Sequence, residues 1–125
     1  MDLPAMTLAP HGAPKETLDA VPGLPKDLRE LLAAHDGGRG KVGTRPIILW
    51  SAEQIAHEAE SQEISLATAG LLLFGTDGGA LGYGYLRSGN QGRYGRIPLL
   101  AAGVHEFEGL GESLNDLLAA LAAGR

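Results

Sequence analysis

The chain has 125 residues, of which 44% are hydrophobic and 20% are charged, and its formal net charge is −5. Domains cluster near ~100–150 residues, so this length and apolar content predict one folded domain with its own hydrophobic core. The absence of cysteine excludes disulfide bonds and thiolate chemistry, and the acidic balance argues against nucleic acid as a partner.

The chain is predicted to begin with an arm and a short helix. Residues 1–14 are rich in proline and alanine and lack hydrophobic periodicity, which predicts a flexible N-terminal arm. Residues 15–125 are expected to form the single domain. A short helix from Lys15 to Val21 opens this domain, and Pro22 and Gly23 end the helix.

The first long helix is predicted to follow. Pro25 suits the first helical position, where its missing N–H is not needed. Leucines recur after it at helical spacing, and Gly37-Gly38 supply the left-handed conformation that ends many helices. The leucines of this apolar stripe are Leu24, Leu28, Leu31 and Leu32.

A loop, a strand and a second long helix come next. Residues 39–44 are predicted to be a loop, and Ile47–Leu49 a short strand behind a proline. Ser51 is placed as an N-cap with Gln54 three residues later, which is the spacing of a capping box, and the helix is predicted to run to about Glu60. The helical period places on the inner side Ala52, Ile55, Ala56 and Ala59, and on the outer side Glu53, His57 and Glu60.

Three antiparallel strands are predicted in the second half of the chain. They cover Thr68–Gly75, Leu81–Arg87 and Arg93–Leu99, and glycine-rich turns join them as a meander. In the middle strand Gly82 and Gly84 share one face, which leaves room for a close helix or a small ligand.

A closing helix completes the fold prediction. Ser113 is placed as its N-cap, leucines at helical spacing follow, and Gly124 is placed as its stop. Helices near both ends of the chain around an antiparallel meander predict an α+β fold.

No catalytic or metal-binding motif has the spacing that it needs. The Gly38–Lys41 segment lacks the first glycine and the final Ser or Thr of a phosphate-binding loop. His57-Glu58 begins like the zinc-protease motif, but Ser61 stands where the second histidine ligand belongs. The sequence therefore predicts no enzyme, no metal site and no cofactor. A pair of carboxylates of the glycosidase kind stays open, because such pairs meet in space rather than in sequence.

Acidic residues are concentrated in the middle of the chain. Residues 50–80 contain no lysine or arginine. One interpretation is an outer face that is simply solvated, and the other is a patch that attracts a basic partner. The acidic residues of this segment are Glu53, Glu58, Glu60, Glu63 and Asp77.

Four segments in order along residues 16–122 carry a family resemblance. They are Leu24-Pro25-Lys26-Asp27-Leu28 with Gly37-Gly38, then Leu49–Ile55, then Phe74–Gly79, and last Leu110–Leu118. They resemble the opening helix and its stop, the strand with its following helix start, the hairpin, and the closing helix of the SUKH superfamily. This is the Smi/Knr-like family of cell-wall assembly regulators and bacterial immunity proteins.

The resemblance implies a non-enzymatic, cytoplasmic domain that binds another protein and needs neither a membrane nor a cofactor. Many bacterial members are similar to immunity proteins that neutralise a cognate toxin, and an acidic inhibitor suits a basic toxin domain. A regulator or scaffold that docks cytosolic proteins is the alternative, and a small-molecule-binding domain is a third. The residues expected to bind the partner are Glu53, His57, Glu60 and Glu63. Those expected to maintain the fold are Leu24, Pro25, Gly37, Gly38, Asp77, Gly78, Gly79 and Ser113.

Overall fold

The computed structural model describes residues 6–21, 23–61, 70–101 and 103–125. Within these ranges seven strands form one antiparallel sheet in which every strand pairs with its neighbours in sequence. The strands are β1 (Met6–Leu8), β2 (Gly38–Val42), β3 (Arg45–Leu49), β4 (Leu71–Thr76), β5 (Leu81–Ser88), β6 (Gln91–Pro98) and β7 (Glu108–Gly111). The helices are α1 (Lys15–Asp19), α2 (Lys26–Ala34), α3 (Ala52–Ser61) and α4 (Leu114–Ala122). The predicted α+β fold with a meander is confirmed.

The meander is longer than predicted, because the segment predicted to be a loop at residues 39–44 is a hairpin. β2 and β3 pair from Gly38 opposite Leu49 to Val42 opposite Arg45, and Gly43 takes the positive φ of +64° that the turn between them needs. A glycine-rich, basic strand has little β propensity of its own. Its stability comes from pairing with both neighbouring strands, which local sequence does not reveal.

The N-terminal segment joins the sheet through residues 6–8. Met6 pairs with Gly40 and Leu8 with Gly38, which makes β1 an edge strand of the sheet. The Nδ1–H of His35 donates to the Ala9 carbonyl oxygen at 2.7 Å, and Ala13 is buried. Where the sequence predicts a flexible arm over residues 1–14, the structure thus places residues 6–14 against the domain. Residues 1–5 lie outside the described ranges.

The four helices contribute to one hydrophobic core on a single face of the sheet. Leu28 and Leu32 of α2, Ile55 of α3 and Leu117 of α4 are fully buried there. The sheet contributes three large aromatic side chains, with the rings of Phe74 and Tyr94 packed edge to face. The aromatic residues of this core are Phe74, Tyr83 and Tyr94. The predicted apolar stripes of the long helices are the faces that the core buries.

The opposite face of the sheet carries a smaller apolar cluster centred on Leu71 and Ile97. Gly82 and Gly84 lie on this face, and the expectation of a closely packed helix over them is not met by any helix of the described ranges. Leucine side chains take the space instead. A Cβ added to Gly82 would lie 2.7 Å from Leu99 Cδ2. Because the two glycines have no side chains, leucine side chains from the sheet and from the segment after β6 can pack against them.

The predicted helix caps are present, with one change. Ser51 Oγ accepts from the N–H of Gln54 at 3.1 Å, and Ser113 Oγ accepts from Asp116 at the same distance. The Gln54 side chain does not complete the capping box but donates to Glu58. Asp36 supplies the additional cap, since its Oδ1 accepts from the N–H of Ala52 at 2.7 Å.

The hairpin at Asp77-Gly78-Gly79 lies where the sequence predicts a turn, but it is longer than the two-residue turn that Asp-Gly favours. Four residues connect β4 to β5, and Asp77 Oδ1 accepts from the N–H groups of Gly79 and Leu81. Gly78 has a φ of +83°. The aspartate side chain thus closes the turn in the manner of an Asx turn.

Candidate functional site

The three described residues of the predicted partner-binding set lie together on α3. Glu53, His57 and Glu60 are exposed and are spaced four and three residues apart, which places them on one side of the helix. Ala52 and Ile55 are fully buried on the other side. Glu63, the fourth predicted residue, lies outside the described ranges. We call Glu53, His57 and Glu60 the acidic face.

The acidic face retains negative charge that the described part of the chain does not neutralise. Neither Glu53 nor Glu60 forms an ion pair with another described residue. Glu53 lies in the first turn of α3, where the positive end of the helix dipole favours a carboxylate. Both carboxylates are therefore available to a cation from another molecule.

An acid in the first family-like segment has a different position. Asp27 Oδ1 accepts hydrogen bonds from the Leu28 N–H, at 3.0 Å, and from the Tyr94 hydroxyl. Its Oδ2 accepts from the N–H of Leu114 at 2.8 Å. One carboxylate therefore connects the start of α2 to β6 and to the start of α4, and its role is to join these elements rather than to meet a ligand.

The glycine pair of the same segment has two separate tasks. Gly37 has a φ of +100°, and a Cβ there would lie 2.9 Å from the Leu49 carbonyl oxygen. Gly38 already belongs to β2, and a Cβ there would lie 2.6 Å from the Thr7 carbonyl oxygen. Helix α2 ends before both, at Ala34. The pair therefore leads the chain from the end of α2 into β2.

A second candidate site is a polar cleft of about 700 Å³. The start of α2, the β5–β6 hairpin and the residue before the cap of α4 surround it, and Asp27 and Tyr94 contribute to its lining. The polar side chains that line the remainder are Lys26, Glu30, Tyr85, Arg87, Asn90, Gln91 and Glu112. We call this set the polar cleft. Sequence reasoning missed it, because three distant segments form it and none of them carries a motif for ligand binding or catalysis.

Two buried phenols, of which Tyr94 lines the polar cleft, have shifted acidities. Burial raises the pKa of Tyr94, and the hydrogen bond to Asp27 and the charge of that carboxylate raise it further. Burial also raises the pKa of Tyr83, with a smaller contribution from Asp77. The folded protein therefore holds both phenol protons more tightly than the unfolded chain does.

This difference predicts a loss of stability in alkali. The contribution is complete below the ordinary tyrosine pKa of about 10 and is lost as the pH rises above it. We expect the wild type to lose stability above about pH 10, and Tyr94→Phe to lose less over the same range because it has no phenol at that position. Urea unfolding at a series of alkaline pH values, followed by tyrosinate absorbance, measures the difference. Equal losses in both proteins would contradict the prediction.

In the described part of the chain, no group of three or more His, Asp or Glu side chains is placed to hold a metal ion. Among the same residues, no helix combines the length and the apolar character that a membrane crossing requires. No family model matches the chain, and no curated protein matches it either.

Proposed function

We propose that this protein is a non-enzymatic protein-binding domain that acts inside the cell as an immunity protein, neutralising a basic toxin domain. The observation that supports the proposal is the acidic face of α3, with Glu53 and Glu60 exposed and without ion-pair partners among the described residues. Opposite charge on a partner raises the rate of association and suppresses wrong partners. A toxin domain that acts on nucleic acid needs a basic surface, and that surface would be attracted to the acidic face.

The acidic face lies on a helix that is anchored in the core and capped at its start, which favours recognition of another protein. Ile55 and Ala52 anchor α3 in the core with no exposed surface. Ser51 and Asp36 accept hydrogen bonds from N–H groups at its start. A helix fixed at its base presents its outer side chains without a large ordering cost on binding.

The family-like segments support the same class of function. Asp27 joins three elements, Gly37 passes close to backbone atoms, and Asp77 closes a turn. Residues with such tasks maintain a scaffold and leave specificity to exposed side chains. The proposal therefore assigns recognition to the acidic face and support to these segments.

Capture of the partner followed by charge reversal tests the proposal. Tagged protein is used to isolate partners from the native source, and a captured protein is tested for toxicity with and without this chain. We expect Glu53→Lys/Glu60→Lys to lower the association rate with that protein by about tenfold or more, and expect added salt to reduce the difference from the wild type. Stopped-flow or surface-based kinetics at two salt concentrations measure both effects.

The matched control is Glu16→Lys/Asp116→Lys, which makes the same total charge change on α1 and α4 as the double variant makes on α3. Both residues are exposed, and each lies in the first turn of its helix. We expect this variant to associate nearly as fast as the wild type. A double α3 variant that binds as fast as the control would reject the acidic face as the binding surface. A captured partner without toxicity would favour the regulator or scaffold instead.

A further inference from the structure

The polar cleft brings together several exposed side chains that have no hydrogen-bond or ion-pair partner among the described residues. Lys26, Glu30, Asn90, Gln91 and Glu112 form no side-chain hydrogen bond or ion pair with another described residue. The Tyr85 hydroxyl also forms no hydrogen bond with a described residue, although the centre of its ring lies 4.8 Å from the centre of the Tyr94 ring. Arg87 makes a single long hydrogen bond, at 3.5 Å, to the Gly23 carbonyl oxygen, and its guanidinium carbon lies 5.9 Å from the centre of the Tyr85 ring. Both donors and acceptors therefore converge on one concave space.

The base of the cleft differs from its walls. Asp27 accepts three hydrogen bonds, and the Tyr94 hydroxyl donates one of them. These groups are satisfied within the protein and have little need of a ligand. The groups with unused hydrogen-bonding capacity are those of the walls, and they determine which ligand fits.

The charges of the walls balance. Lys26 and Arg87 carry positive charge, and Glu30 and Glu112 carry negative charge. Asp27 at the base adds one further negative charge, and its carboxylate accepts three hydrogen bonds within the protein. A charged ligand of either sign would therefore meet like charges as well as opposite ones. Ligand pockets for drug-like molecules are mostly apolar, whereas this cleft is lined mainly by polar groups. A neutral, strongly polar ligand fits both the mixed charges and the polar lining.

We propose that the polar cleft binds a neutral polyhydroxylated ligand, an oligosaccharide chain or its terminal sugar unit. A hydroxyl donates one hydrogen bond and accepts up to two. Neighbouring hydroxyls can therefore donate to Glu30 or Glu112 while they accept from Arg87, Asn90 or Gln91. The cleft volume of about 700 Å³ lies within the range of small-ligand sites. The role of the cleft is independent of the acidic face and of the toxin-binding proposal.

The test is a nuclear magnetic resonance titration of isotope-labelled protein with four neutral probes. The probes are maltohexaose, cellohexaose, laminarihexaose and chitohexaose, and the charged comparisons are inorganic phosphate and a short lysine peptide. We expect at least one saccharide to shift the backbone amides of Tyr85, Arg87, Asn90 and Gln91. Tyr85→Phe, which keeps the ring and removes only the hydroxyl, and Glu30→Gln are each expected to weaken that binding by about fivefold to tenfold.

The control variant is Glu53→Gln, which makes the same chemical change on the acidic face as Glu30→Gln makes in the cleft. We expect its saccharide Kd to equal that of the wild type, so that failure here and failure of the toxin-binding proposal are separate results. Shifts for none of the four saccharides, or shifts confined to another surface, would overturn the proposal. So would wild-type affinity in both cleft variants, or stronger shifts of the same amides by phosphate or by the lysine peptide.

Discussion

Asp27→Ala is expected to lower the free energy of unfolding by about 3 kcal/mol, because two buried donors lose their shared acceptor. These donors are the hydroxyl of Tyr94, a residue with 1% exposure, and the N–H of Leu114, a residue with 2% exposure. A buried donor without a partner costs about 1–3 kcal/mol. Urea unfolding followed by circular dichroism measures the loss.

The control for this prediction is Glu30→Ala, which removes an exposed carboxylate from the same helix. Its side chain forms no hydrogen bond or ion pair with a described residue, and the expected change is within about 0.5 kcal/mol. Tyr94→Phe removes one donor of the pair, so the cycle of Asp27→Ala with Tyr94→Phe should give a coupling energy of about 1–2 kcal/mol. A loss no larger than that of the control, or a coupling energy of zero, would show that Asp27 does not join these elements.

Gly37→Ala is expected to destabilise the protein by a similar amount, about 3 kcal/mol, through the backbone rather than through a side-chain contact. At a φ of +100° an alanine is strained wherever it stands. In addition, its Cβ would lie 2.9 Å from the Leu49 carbonyl oxygen and 3.1 Å from the Ser51 nitrogen. Both are backbone atoms, and they belong to the end of β3 and the N-cap of α3, so neither can move without disturbing the sheet or the helix. Thermal and urea unfolding measure the effect.

Gly79→Ala is the matched control, because Gly79 also belongs to a glycine pair of the family-like segments. Its φ lies outside the left-handed region, and an added Cβ would be 3.5 Å from Asp77 Oδ1, which is ordinary contact. We expect its stability to change by no more than about 0.5 kcal/mol. Equal losses in the two variants would mean that the glycines are needed for some reason other than backbone geometry.

The elements that the sequence predicts best are those whose own residues determine them. Helix α4 has an N-cap at Ser113, a leucine stripe and a stop at Gly124, and the structure has all three. Strands β1 and β2 were missed for the opposite reason. They have three and five residues, and β2 is rich in glycine and charge, so their stability depends on pairing with each other and with β3.

The same distinction separates the two candidate sites. Helical periodicity alone places Glu53, His57 and Glu60 on one side of α3, so three members of the acidic face could be predicted together. The Asp27 network could not be predicted, because its partners Tyr94 and Leu114 lie 67 and 87 residues away. The polar cleft is of the same kind, since Glu30 and Glu112 meet only through the fold.

The order of strands in the sheet also bears on synthesis of the chain. Because each strand lies beside the strand made just before it, the described sheet can grow one strand at a time as the polypeptide leaves the ribosome. No later strand has to be inserted between two that have already paired. Asp27 does not follow this sequential order, since it is synthesised early and its partners Tyr94 and Leu114 are synthesised much later. Its full set of hydrogen bonds can therefore form only after Leu114 has been synthesised, when all seven described strands are already present.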